Sequence, residues 1–281
     1  MEEKTEKYAV KRSELRMKLG ILYFGFRRRL FWMRHSGQFA KERRAEKLEY
    51  VQFSHATPML RKLKDLDMQL QYNKVTNLRI AASCLDGLML QPGETFSFWY
   101  LVRRPTRRRG FLDGMVLREG KCVPGLGGGL CQMTNLIYWM TLHTPLTVSE
   151  RHRHGYDVFP DSGRTQPFAT GATVFYPFVD LMIRNDTDRA FQLSLWLTDT
   201  HLCGEWRSTR EPEYHYEVVE TEHSMTHEYW GGYMRHNKIS RKIYTPDGEF
   251  VREEFVTAND AIMLYSPFLA SPNYSSEGFD K

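Results

Sequence analysis

Three consecutive glycines, Gly127 to Gly129, lead through Leu130 into Cys131, and the next dozen residues, Gln132 to His143, contain neither glycine nor proline. This order describes a permissive turn that delivers a thiol to the start of a helix. Glycine adopts backbone conformations closed to other residues and lets a second chain segment approach closely. A helix start presents unpaired N–H groups and a partial positive charge. A thiolate is stabilised there, which makes Cys131 a candidate nucleophile. The backbone around Gly128 and Gly129 and the side chain of Gln132 are candidates to hold a developing oxyanion. Two other uses of the same residues stay open. Cysteine often packs as a small hydrophobe, and Gln132 and Asn135 suit plain helix capping. A glycine turn before a helix can also cradle phosphate. The phosphate-loop pattern, however, needs Gly-Lys-Ser/Thr, and no lysine occupies that place.

A nucleophilic thiol needs a base, and the base needs an orienting group. His152 and His154 follow in Arg151-His152-Arg153-His154, where a strand would put both on one face. Either one can serve as the base, or both can be surface residues of a basic strand. Asp180 stands inside the apolar run Phe178-Val179-Asp180-Leu181, where a charge is costly unless paired. It is the candidate third member, with an outward-facing carboxylate as the alternative. A nucleophile on a helix, then a base and an acid on the following strands, is the order of papain-like and transglutaminase-like enzymes; this is analogy only. Arg103 and Arg104 open a run with Arg107, Arg108 and Arg109 that suits a carboxylate-bearing substrate or else a solvated loop. Glu94 is either a second acid near the site or a turn residue.

The elements that must position these groups read as α+β, with helices first and a mixed, mostly antiparallel sheet later around a central helix carrying Cys131. Residues 5–50 and 59–72 read as helical, and Asn77 reads as the cap of a further helix. Thr95 to Val102 reads as a strand and Gly114 to Val123 as strand, turn and strand. Ala172 to Arg184 and Ala190 to Leu197 read as a hairpin turned at residues 185–188. Residues 214–221 and 239–256 read as further strands, the latter turned at Pro246-Asp247-Gly248. The tail after Ser266 reads as loose.

The chain of 281 residues is 41% hydrophobic, enough to bury a core in one or two domains. Its net charge of +5 is uneven: residues 1–50 hold 14 Lys/Arg against 7 Asp/Glu, and the remainder is slightly acidic. An acidic body argues against nucleic-acid binding. The four cysteines form no Cys-x-x-Cys pair and the ten histidines are scattered, so no metal or other cofactor is expected. No secretory leader or spanning helix is read. This leads to the expectation of a bacterial protein that is cytoplasmic or held peripherally at a membrane by residues 5–50.

Four motifs together carry a family resemblance. They are Pro92-Gly93-Glu94-Thr95-Phe96-Ser97-Phe98, Pro124 to Gln132, Glu150-Arg151-His152-Arg153-His154, and Val179 to Thr187. In order and spacing they resemble the VanW family, over residues 74 to about 200. The resemblance implies a role in peptidoglycan metabolism and a link to vancomycin resistance, with peptidoglycan stem peptides or their precursors as partners. Some members are cysteine L,D-transpeptidases, which implies Cys131 as nucleophile, His154 as base and Asp180 as third member. The alternative is a non-catalytic accessory or precursor-binding protein. The expected divisions are a basic helical arm (1–72), a VanW-like core (73–205) and a β-rich C-terminal extension (206–281).

Overall fold

The computed structural model describes residues 13–60, 68–118, 121–157 and 166–265. The tail expected to be loose lies outside the described residues. Within them the chain is α+β and its strand pairs are antiparallel, save one. In order, the elements begin α1 (Glu14–Arg34), β1 (Tyr50–Pro58), α2 (Met68–Leu85), β2 (Leu88–Leu90), β3 (Thr95–Ser97) and α3 (Phe98–Val102). Next come β4 (Asp113–Arg118), β5 (Lys121–Leu126), α4 (Cys131–Leu142), β6 (Thr147–Glu150) and β7 (Tyr156–Asp157). Then follow β8 (Met182–Arg184), β9 (Phe191–Leu197), β10 (His201–Ser208), β11 (His215–His227), β12 (Tyr233–Tyr244) and β13 (Phe250–Met263).

The sheet β1-β10-β9-β2 is the floor on which α2 and α4 pack. Trp206 and Leu202 of β10 and Leu193 and Leu195 of β9 are buried in the same core as Leu136, Ile137 and Met140 of α4. Gly204 leaves room for Leu195 and Met140 to meet over β10. The Trp206 indole N–H donates to the Thr141 hydroxyl at 3.1 Å, so the largest fully buried side chain keeps its polar atom paired. The sheet β3-β8-β6 and the hairpin β4-β5 flank this core, and β11-β12-β13 forms a meander joined in parallel by β7.

Several local expectations are corrected, each because a tertiary hydrogen bond overrides propensity. The helix read over residues 5–50 ends at Arg34 within the described residues. Beyond it, Ala40 N–H donates to Thr95, Arg44 N–H to Gly87, and the Gln192 amide donates to Arg44 and Glu46, so this stretch is drawn out along the sheets. Residues 50–58, read as part of the arm, form an edge strand paired with β10. Asn77 caps nothing; it is buried in the middle of a continuous α2. Phe98–Val102 is helical, although four of its five residues are aromatic or β-branched, because Ser97 caps Tyr100 N–H at 3.2 Å and Asp180 accepts Trp99 N–H at 3.0 Å. The expected hairpin at residues 185–188 is a crossover. β8 and β9 belong to different sheets, and Asn185 holds the connection by donating to Leu90 and Arg189 carbonyls.

α1 is held to this body by the buried Trp32, by Gly25 against Pro177 and by a charged contact. The Arg28 guanidinium grips Glu150 at 2.8 and 2.6 Å and donates to the Phe178 carbonyl at 2.9 Å. Both partners are mostly buried, which strengthens the pair and makes its loss costly. Arg28→Met is expected to lower stability by about 2 kcal/mol and to speed amide hydrogen exchange in α1 well before that in α4. Equal exchange in both helices would show that α1 is held by something else.

Candidate functional site

The glycine turn is built by close contact of backbone on backbone. A Cβ on Gly128 would overlap the Gly114 carbonyl of β4, and one on Gly114 would overlap the Gly128 carbonyl. Asn77 of α2 holds the crossing together: its amide donates to Leu112 at 3.0 Å and Gly128 at 2.9 Å, and its oxygen accepts Leu112 N–H at 2.9 Å. Gly127 and Gly129 take left-handed φ values of +73° and +91°, which non-glycine residues adopt only with strain. The buried stem of Lys74, one turn before Asn77, fills the space over Gly129. These contacts aim the chain so that α4 begins at Cys131.

α4 starts without a side-chain cap. Gln132 N–H turns back to Gly129 and Met133 N–H to Leu130, both at 3.0 Å. Among the described residues, the N–H groups of Gly129 and Leu130 have no hydrogen-bond acceptor. Cys131 is half-buried and packs against the core, and its thiol makes a weak bond to the Val174 carbonyl at 3.9 Å. Burial raises the thiol pKa above its ordinary value, against the lowering effect of these backbone contacts, so the sulfur is protonated at neutral pH. Neither of two surface clefts, one on the β11–β13 meander and one between α1 and β3-β8-β6, includes Cys131.

The remaining candidates divide into those near this turn and those used elsewhere. Gln132 donates to Thr57 and to the Pro58 carbonyl at 2.8 Å, tying α4 to the end of β1. Arg103 and Arg104 are exposed, and the next residue, Pro105, packs against Gly127, so the arginine loop borders the glycine turn. Arg107 is paired with Asp113. Glu94 closes the turn before β3 by accepting Gln91 N–H at 2.9 Å.

His152 and His154 follow β6 outside any strand. The His152 ring contacts Glu150 at 2.9 Å. The His154 ring is partly buried and, among the described residues, makes no hydrogen bond. Burial, then the neighbouring Arg153 charge, lowers its pKa, so it is neutral at pH 7. No hydrogen bond joins it to Cys131 among the described residues. The two still share a frame: His152 accepts Thr173 N–H at 2.8 Å, while Ala172 and Val174 meet Asn135, Thr134 and Cys131 of α4. Arg151 locks this frame by donating to Gly171 and Ala169 and lying over the Tyr138 ring.

Asp180 is fully buried, but the structure takes it to Ser97 and the start of α3 rather than to an imidazole. Its carboxylate accepts the Ser97 hydroxyl, Trp99 N–H at 3.0 Å and Leu181 N–H at 2.9 Å. Burial pushes its pKa up to about 7, moderated by those hydrogen bonds and by Arg28. Lys74, Asn77 and Gly114 were not singled out from sequence as parts of the site. The signal for Asn77 was a polar residue within an apolar helical face, which read equally well as a cap. Among the described residues no cluster of His, Cys, Asp or Glu is gathered for a metal ion.

Residues 73–207, which include every candidate above, match the family model described as VanW like protein. The chain is 34% identical over 219 residues to the vancomycin B-type resistance protein VanW of Enterococcus faecalis, spanning 78% of this chain and 79% of that protein. It is 28% identical over 100 residues to the uncharacterized protein YoaR of Bacillus subtilis, 35% of this chain and 33% of that one. No solved structure matches the chain.

Two outcomes test this geometry. An Asp whose folded pKa is raised from 3.8 to about 7 contributes stability that is present below the unfolded value and lost as pH rises through the folded one. Denaturation of Asp180→Asn against wild type is therefore expected to show wild-type stability falling more steeply between pH 4 and pH 7. Parallel profiles would mean that the carboxylate is ionised throughout. Gly128→Ala is expected to cost about 1–3 kcal/mol because the added methyl group has only backbone to displace, measured as a lower melting temperature.

Proposed function

This chain belongs to the VanW family, and from that premise we propose that it acts on peptidoglycan stem peptides by acyl transfer through Cys131. The Enterococcus faecalis relative is named for vancomycin B-type resistance, and the same setting is proposed here. The observation that carries the reading is the open start of α4: N–H groups at Gly129 and Leu130 that have no acceptor among the described residues, next to a thiol on the first helical residue. Such donors favour negative charge on a tetrahedral oxygen.

In this reading neutral His154 takes the Cys131 proton, and the sulfur anion attacks a carbonyl carbon of the donor stem. The oxyanion settles on the free N–H groups. The bond from that carbon to the terminal residue's nitrogen breaks, and the departing amine takes the proton from His154. An amine of a second stem then attacks the thioester carbon, the bond from that carbon to the Cys131 sulfur breaks, and the amine's proton passes through His154 to the departing sulfur. Arg103 and Arg104, at the edge of the turn, would meet a stem carboxylate. Asp180 has no part in these steps, because its carboxylate is occupied at α3. The thiol rests protonated against Val174, so substrate must displace that contact before proton transfer.

A second reading is favoured by the same burial: the turn binds stem ends without turnover. Mass spectrometry of the protein incubated with tetrapeptide and pentapeptide stems separates the two. Acyl transfer predicts an adduct on Cys131 that is lost in Cys131→Ala and His154→Ala, with folding preserved by circular dichroism. No adduct, with stem affinity retained in Cys131→Ala by calorimetry, would leave the binding reading; neither adduct nor affinity would reject both. Alkylation of free Cys131 by iodoacetamide is expected to be slow at pH 7 and to rise about tenfold per pH unit until the thiol ionises.

A further inference from the structure

α1 has two apolar faces; the body covers part of one and leaves Met17, Ile21 and Phe24 on it partly exposed. On the covered face Trp32 is buried, Gly25 packs on Pro177, Arg28 holds Glu150, and the Phe24 ring meets Phe178. On the other, Leu15, Leu19, Leu22, Phe26 and Met33 are 69%, 56%, 69%, 63% and 65% exposed. At 3.6 residues per turn these five fall within about 60° of one another, a single stripe along the helix. Lys18 and Arg29 border the stripe on one side and Arg16, Arg27 and Arg34 on the other, all exposed. Glu14 is the helix's one acid. A continuous exposed apolar stripe of this length marks a contact surface.

We propose that α1 docks the protein on an anionic lipid surface, lying in the plane of the interface with this stripe in the acyl boundary and its flanking cations at the lipid phosphates. The pattern fits that occupant on two counts. Long cationic side chains extend from an apolar face to the headgroup level while their stems stay in the apolar layer. A second copy of the helix would instead set like charges against each other on both sides of the seam. No described helix is long and apolar enough to cross a membrane, so α1 lies on the surface rather than through it. The Arg28–Glu150 pair ties the docked helix to the segment that continues into His154. This inference is independent of chemistry at Cys131.

Flotation of the full chain with vesicles tests it. Binding is expected to vesicles of equal phosphatidylglycerol and phosphatidylcholine and not to phosphatidylcholine alone, and to weaken at least about tenfold between about 0.1 M and 0.5 M salt. The double variants L22E/F26E and R27E/R29E are each expected to lose about tenfold or more with unchanged melting temperature. Leu22→Trp should shift its emission to the blue on vesicle addition. No binding to anionic vesicles, or variants that bind like wild type, would overturn the proposal. A lipid-free dimer abolished by L22E/F26E would assign the stripe to a second copy and would also overturn it.

Discussion

The crossing of Gly114 over Gly128 is the contact on which the candidate site depends. Two backbone segments touch there with no side chain between them, which only glycine permits. Asn77, buried in α2, supplies the three hydrogen bonds that the crossing would otherwise leave unmade. Because α2 also packs on the floor sheet, the direction in which the chain enters α4 is tied to the main core. The position of the Cys131 sulfur is thus set by the core of the protein rather than by a surface loop.

A second layer of buried polar groups joins the parts of the chain around that turn. Glu150 collects Arg28 from α1, the His152 ring and the Asp180 N–H. Asp180 in turn caps α3, and Arg151 clamps the loop before Ala172 against α4. Unpaired charges at these depths would be costly, so each is committed to a partner. The resemblance motif Glu150 to His154 is therefore largely scaffold, with His154 the one ring in it that is left uncommitted among the described residues. The open start of α4 and this neutral ring are what the acyl-transfer reading draws on. The raised thiol pKa sets the resting state from which any such reaction must begin.

Some of this was legible without coordinates. The helix beginning at Cys131, the hairpin leading into it and the turn at Pro246-Asp247-Gly248 each rest on local chemistry: glycine freedom, apolar periodicity, proline as a breaker. The assignment to a family was legible too, since motif order is a property of sequence. Misreadings arose where a distant group supplied the deciding bond. Phe98–Val102 has strand propensity, yet Asp180, some eighty residues later, makes it helical. Residues 35–49 are spread along two sheets by carbonyls and amides that no local window contains.

By itself the sequence determined which residues carry reactive chemistry, which segments bend, and where charge and apolar surface accumulate, because those properties belong to side chains and their near neighbours. Only the tertiary structure decided which polar groups are already spoken for. Asp180 went to Ser97 and Gln132 to the end of β1, while among the described residues the N–H groups before Cys131 stayed open. Burial decides such pairings, and burial is fixed by the packing of segments far apart in the chain.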